Sequence, residues 1–186
     1  REEDPTLRIE RSDETHETVM YGMGEAHLDV QIERMKRKFG VEVTTSPAKI
    51  AYRETVRGPG KGIGRHVKQT GGHGQYAICN LEVEPLPSGS GFEFVDKVVG
   101  GSVPRQFVPS VEKGVRAQME RGAAAGYPMV DVRVTLVDGK AHSVDSSDMA
   151  FQIAGSLALK EGVEAAGVVL LEPIVQLAVI VPESYP

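Results

Sequence analysis

Cys79 is the only cysteine in the 186 residues, so no internal disulfide can form. No apolar run approaches the roughly 20 residues that a membrane-spanning helix needs. Nothing at the N-terminus combines a basic start, an apolar stretch and a small-residue cleavage site. The five histidines, at positions 16, 27, 66, 73 and 142, show no metal-ligand spacing. These absences predict a soluble, cytoplasmic, globular chain without membrane contact, metal or disulfide framework. A local absence is more informative. The net charge of −5 argues against general nucleic-acid affinity, yet no acidic residue lies between Glu54 and Glu82, while Arg57, Lys61, Arg65 and Lys68 are basic. An acidic chain thus carries one cationic arm, which leads into the glycine-rich "KQTGGHGQYAI", Lys68 to Ile78.

The hydrophobic pattern gives an α+β reading. Thr6 to Glu10 and Thr18 to Tyr21 read as a strand pair about a polar turn, part of a domain whose front is missing. Leu28, Ile32, Met35 and Phe39 recur at helical spacing from Glu25, and Gly40 is placed as a C-cap. Val41 to Thr45 reads as a further strand. After Pro47 a new pattern begins. Gly64 to Thr70 and Gln75 to Glu84 form an antiparallel pair, with Ala77, Cys79, Leu81 and Val83 alternating inward. Arms of this length hold their loop about 25 to 30 Å from the base at about 3.3 Å per residue. A strand in "FEFVDKVVGG" is followed by a helix from Pro104 to Arg121, ended by Gly122. Met129 to Val137 reads as a strand that "DGK" turns back toward His142. The next helix is capped by Asp145 or Ser146, carries Asp148 in its first turn and closes at Gly167; its small residues at 154 to 158 suggest close packing. A last strand begins after Pro173.

Three kinds of chemistry compete for the motifs. "GPGKGIGRH" and "GGHGQ" have neither the GxxxxGK[ST] nor the GxGxxG spacing, so a nucleotide-cradling loop is not expected. "HSVDSSD" gathers His142, Asp145 and Ser146, the ingredients of a freestanding hydrolase, but triads assemble from distant segments and helix capping explains the acid and the serine. The third reading is a contact surface. Glycines at 71, 72 and 74 let backbone N–H groups approach a phosphate or a base edge, and His73 can donate hydrogen bonds or stack.

The segments "QTGGHGQY", "VEPLPSGSGFEFVDKVVGGSVPRQFVPSVEKGV", "AGYPMVDVRVTLVDGKAHSVDSSDMAFQIAGSLALKE" and "YGMGEAHLDVQIERMKRKFGVEV" resemble the C-terminal half of elongation factor G. The resemblance implies a truncated ferredoxin-like domain III over residues 1–48. It implies a ribosomal-protein-like β-α-β domain IV with a long protruding hairpin over 49–171, and the first strand of domain V over 172–186. It further implies a ribosome-binding arm, monomeric, that reaches the small-subunit decoding site and engages transfer RNA and messenger RNA. Gly71, Gly72, His73, Gly74 and Gln75 would form one tip loop and His142 the other, flanked by Lys68 and Lys140. GTP and magnesium belong to a GTPase domain of the parent; no cofactor or catalytic centre is expected in this stretch. Where ordinary members show arginine, this chain has His73, which resembles the elongation-factor-G-like paralogues of actinobacteria, and recycling or rescue of ribosomes is the alternative role. Arginine is always charged whereas histidine near neutrality is only partly so, so phosphate contact at this position becomes weaker and pH-sensitive.

Overall fold

The computed structural model describes residues 4–12, 15–70, 73–174 and 176. The chain divides into two compact units, Tyr52–Glu172 and a smaller one drawn from Arg1–Ala51 and Pro173–Pro186. In the smaller unit β1 (Arg8–Arg11) pairs antiparallel with β2 (Thr18–Tyr21), and α1 spans Glu25–Phe39. Gly40 ends α1 in the left-handed conformation, φ 66°, and returns its N–H to Lys36 O. The α1 entry is held by His27, whose Nδ1 accepts the Met23 N–H while Nε2 faces Asp4 Oδ2 at 2.7 Å. Thr6 first, then His27, hold the Asp4 carboxyl down at about 2. The strand expected at Val41 to Thr45 does not form. Val41 and Val43 are exposed, and among the described residues no strand offers them a ladder, without which β propensity has nothing to act on.

The larger unit is a sheet in the order β4-β5-β7-β6, covered on one face by two helices. Its elements are β3 (Arg53–Val56), β4 (Gly60–Thr70), β5 (His73–Pro85), β6 (Phe92–Asp96), α2 (Val108–Arg121), β7 (Val132–Ala141), α3 (Asp148–Ala166) and β8 (Val168–Leu171). The alternation in β5 works as predicted: Ala77, Cys79, Leu81 and Val83 are buried against Phe151, Leu159 and Val163 of α3 and Val132, Val134 and Leu136 of β7. β6 runs parallel to β7, with α2 as the crossover between them. β8, which sequence patterning did not anticipate, pairs with β3 in a separate two-stranded sheet. The expected strand after Pro173 lies mostly outside the described residues.

One turn assignment and the reach of the hairpin are corrected. Asp138, Gly139 and Lys140 do not turn; β7 continues through them to Ala141, because β5 supplies a partner along its whole length. The register steps from Leu81↔Leu136 to Asn80↔Asp138, a bulge that accommodates Val137. Glycine is needed at 139 because a Cβ there would strike Ile78 O and Val103 Cγ2. The hairpin also protrudes less than its length suggests. β7 accompanies β5 as far as Ala77↔Ala141, so only the four pairs from Val67↔Tyr76 to Thr70↔His73 extend beyond the sheet. That is about 13 Å of strand beyond the sheet.

The glycines of "GPGKGIGRH" have a packing explanation. Gly60, Gly62 and Gly64 alternate inward along β4, and a Cβ on each would fall on the carbonyl oxygens of Gly162, Ala158 and Ala154 in α3. Every second strand residue advances about 6.6 Å and every fourth helix residue about 6 Å, so the two rows stay in step over three contacts. Replacing Gly62 or Gly64 by alanine is expected to cost about 3 kcal/mol in denaturant unfolding. Gly58→Ala, where an added Cβ meets nothing within 4 Å, should cost less than about 0.5 kcal/mol.

Glu54 is fully buried at the start of β3. Its Oε2 accepts the N–H groups of Ala123 (2.9 Å) and Ala124 (3.1 Å), and its Oε1 those of Ala125 (2.7 Å) and Tyr127 (3.0 Å). Burial pushes the carboxyl up, the four donors push it down, and the balance lies below the ordinary 4.5. A depressed folded pKa stabilises fully above the unfolded value and is lost as pH falls through the folded one. Stability should therefore decline below pH 4.5 in part through this group. Glu54→Gln, which turns an amide N–H₂ toward two donors, should remove that part of the slope and lower stability at pH 7 by about 2 kcal/mol in urea titrations.

Candidate nucleic-acid interface

The outer end of the hairpin is fastened to the β7–α3 turn. Past Gly64 the next inward residue of β4 is His66, 5% exposed, whose Nε2–H donates to Gln75 Oε1 at 2.7 Å across the strand pair. Beyond it the Gly74 N–H donates to Asp145 Oδ1 (3.1 Å) and the Tyr76 N–H to Asp145 O (2.8 Å). Ser146 Oγ–H donates to Tyr76 O (2.6 Å) and the same oxygen accepts the His142 N–H (2.8 Å). The Tyr76 and His142 rings stand 5.9 Å apart at 52°. Two segments distant in sequence thus form one apex.

The Asp145–Ser146 pair is the fastening that sequence reasoning missed, having assigned it to helix capping. The cap is Ser147, whose side chain accepts the Ala150 N–H at 3.2 Å, and Asp148 follows in the first turn. In a row of three candidate caps only the last can serve the helix, which leaves Asp145 and Ser146 free to reach sideways. Gly74 answers to the same contact, since a Cβ there would come within 2.9 to 3.1 Å of the Asp145 carboxylate.

His142 has a half-exposed ring at the mouth of the turn. Its Nδ1 accepts from the Asp145 N–H (3.2 Å) and the Val144 N–H (3.3 Å), which leaves Nε2–H as an outward donor in the neutral ring. Asp145 Oδ2 lies 3.3 Å from the same Nδ1. This arrangement does not make a hydrolase: the Ser146 hydroxyl hydrogen is committed to the Tyr76 carbonyl and the His142 ring nitrogen faces backbone. Of the other residues expected at the site, Lys68 is exposed opposite Gln75, and Lys140 is exposed opposite Ile78, two residues before His142. His73 pairs with Thr70 in the ladder, while Gly71 and Gly72 lie outside the described residues. Gln75 is exposed, and its amide oxygen accepts from His66.

Comparison with known proteins assigns this α+β fold and its apex to a family. Residues 48–167 match the family described as elongation factor G, domain IV, and residues 1–47 match elongation factor G, domain III. The chain belongs to the elongation factor G family. It is 63% identical over 183 residues to an elongation factor G-like protein of Mycobacterium tuberculosis (strain CDC 1551 / Oshkosh), covering 98% of this chain and 26% of that protein. It is 52% identical over 183 residues to elongation factor G of Aquifex pyrophilus, with the same 98% and 26% coverage. A crystal structure of a Thermus thermophilus protein superposes with a TM-score of 0.79 at 42% identity, over 91% of this chain and 25% of that one. The chain spans about a quarter of the length of these relatives.

If Asp145 is what holds the hairpin end, Asp145→Ala should speed amide exchange at Gly74 about tenfold, the loss of one charge-assisted hydrogen bond. The Tyr76 amide, bonded to the Asp145 backbone, should keep its protection. Equal acceleration at both would mean that the turn itself has come loose.

Proposed function

We propose that the chain is the arm of a ribosome-binding elongation factor G-like GTPase, and that its apex engages the transfer RNA–messenger RNA helix at the small-subunit decoding site during translocation. Residues 1–48 would be the remainder of domain III, 49–171 domain IV and 172–186 the opening strand of domain V. GTP, magnesium and hydrolysis belong to the rest of the parent protein. The observation that carries this reading is the single apex formed by the β4–β5 hairpin and the His142 turn. It presents Lys68, Lys140 and the outward Nε2–H of His142 beside the strand end that Gly74 and Tyr76 fasten to the turn. Cations and stacking-competent rings at a narrow projecting end suit contact with a polyanion inside a confined space.

Similarity to the elongation factor G-like protein of M. tuberculosis, and histidine at 73, favour a second reading: a paralogue that serves ribosome recycling or rescue. The test uses the full-length parent on purified ribosomes, with single-turnover messenger movement and subunit splitting measured side by side. His142→Ala should slow whichever step is native by about tenfold, equivalent to one lost contact of about 1.4 kcal/mol in the transition state. Unaltered rates in both assays would overturn the reading. The assay in which the unmodified protein is active decides between translocase and recycling or rescue factor.

A further inference from the structure

Beside the apex lies a cleft of about 830 Å³ whose wall includes Tyr76, Ser102, Gln106, Asp138, Lys140 and His142. Its size lies in the range of small-ligand sites, about 300 to 1,000 Å³. The cleft exists because β6 pairs with β7 only through Leu136, and the chain then leaves β7 through the loop that carries Ser102 and Gln106. Ser102 Oγ is shut off from solvent and has no well-formed hydrogen bond among the described residues, yet it leans on the Asp138 carboxylate. Ser102, the Gly139 N–H and the Lys140 charge hold that acid below its ordinary value. Asp138 is therefore an ionised, acceptor-only group at the cleft wall.

We propose that this cleft recognises a guanine base. An ionised carboxylate offers two acceptors side by side and is satisfied by two adjacent donors. The Watson–Crick edge of guanine, N1–H beside N2–H, supplies them. Adenine and cytosine set an acceptor nitrogen next to their single amino group, and uracil flanks its one N–H with two carbonyls, so each turns an acceptor toward Asp138. The tilted Tyr76 and His142 rings give a flat ligand a face to lie on, and Lys140 suits the attached phosphate. The inference does not require the function proposed above. The base could belong to a free guanine nucleotide or to an unstacked guanine in RNA.

Titration of the labelled chain with GMP, AMP, CMP, UMP and inorganic phosphate, followed by amide NMR, tests it. GMP should shift residues around Ser102, Gln106 and 138–142, and bind about tenfold tighter than the other three. An RNA hairpin with one bulged guanine, compared with the same hairpin carrying a bulged adenine, separates the two sources: a guanine-dependent response assigns the base to RNA, and a response to GMP alone assigns it to the free nucleotide. Asp138→Asn, which exchanges one acceptor for a donor, should weaken GMP about tenfold and strengthen CMP. Equal affinity for all four nucleotides, shifts reproduced by phosphate alone, or undiminished GMP binding by D138N would each overturn the proposal. Should D138N disturb the fold, the ranking on the unaltered chain still decides. Failure here leaves the ribosomal assays of His142→Ala untouched, so the two readings fail separately.

Discussion

The contact between β4 and α3 is the constraint from which the rest of the larger unit follows. Three glycines of the strand lie on three carbonyls of the helix, at Ala154, Ala158 and Gly162, with no side chain between them. Backbone at this distance leaves little room for sliding or rotation, so the strand and the helix share one direction in space. α3 runs antiparallel to β4, and its N-terminus therefore points along the hairpin toward the tip. From the outermost contact, Gly64 on Ala154, the helix retreats two turns to Ser147 while the strand advances to His66 and beyond. Asp145 and Ser146, just before the helix start, then meet Gly74 and Tyr76. The other side of α3 is built in the same way. A Cβ on Gly114 of α2 would strike Gln152 O, and one on Gly155 would come within 2.8 Å of Val111 O. Gly155 and Gly162 each cost the helix about 1 kcal/mol against alanine, a loss offset by close packing on both flanks.

The same geometry sorts the charges of the arm. With Gly60, Gly62, Gly64 and His66 turned inward, Lys61 and Arg65 must face outward. Near the base Lys61 meets Glu82 at 2.7 Å, which raises the lysine pKa, so its charge is already answered within the molecule. Further out, Arg65 stands opposite Ile78 and Lys68 opposite Gln75, and neither has a carboxylate partner among the described residues. Along β4 the charge nearer the base is thus answered within the molecule, while those nearer the tip are not. Exposed pairs such as Lys61–Glu82 contribute little to stability, so this sorting bears on what the arm attracts more than on how well it folds.

Strand alternation and helix periodicity made most of the larger unit legible, because one buried face is enough to set both patterns. Ala77 to Val83 are read correctly on that ground, and in the smaller unit the α1 spacing gives the helix although none of its residues is fully buried. Failures came where a residue has two possible uses. "DGK" is a turn signal on its own, and only the length of β5, which is non-local information, makes it a bulged strand. Asp145 and Ser146 qualify as caps, and only the geometry of α3 reveals that Ser147 does that work. The glycines of "GPGKGIG" match no phosphate motif; set beside the Ala154, Ala158 and Gly162 spacing of four, their spacing of two marks strand-on-helix packing. At the site, the convergence of the hairpin with the His142 turn could be suspected only from resemblance, since no local pattern links positions 74 and 145.

The fastening of the apex runs almost wholly through backbone on the hairpin side: the Gly74 N–H, the Tyr76 N–H and the Tyr76 carbonyl. Those bonds are made at 74 and 76, so the fastening places no demand on the residue type at 73. The opposite holds for the turn. Asp145 acts through its carboxylate as well as its carbonyl and Ser146 through its hydroxyl, and a change at either side chain moves the frame that carries His142. One half of the apex can therefore diversify in what it touches while the other half fixes where contact occurs.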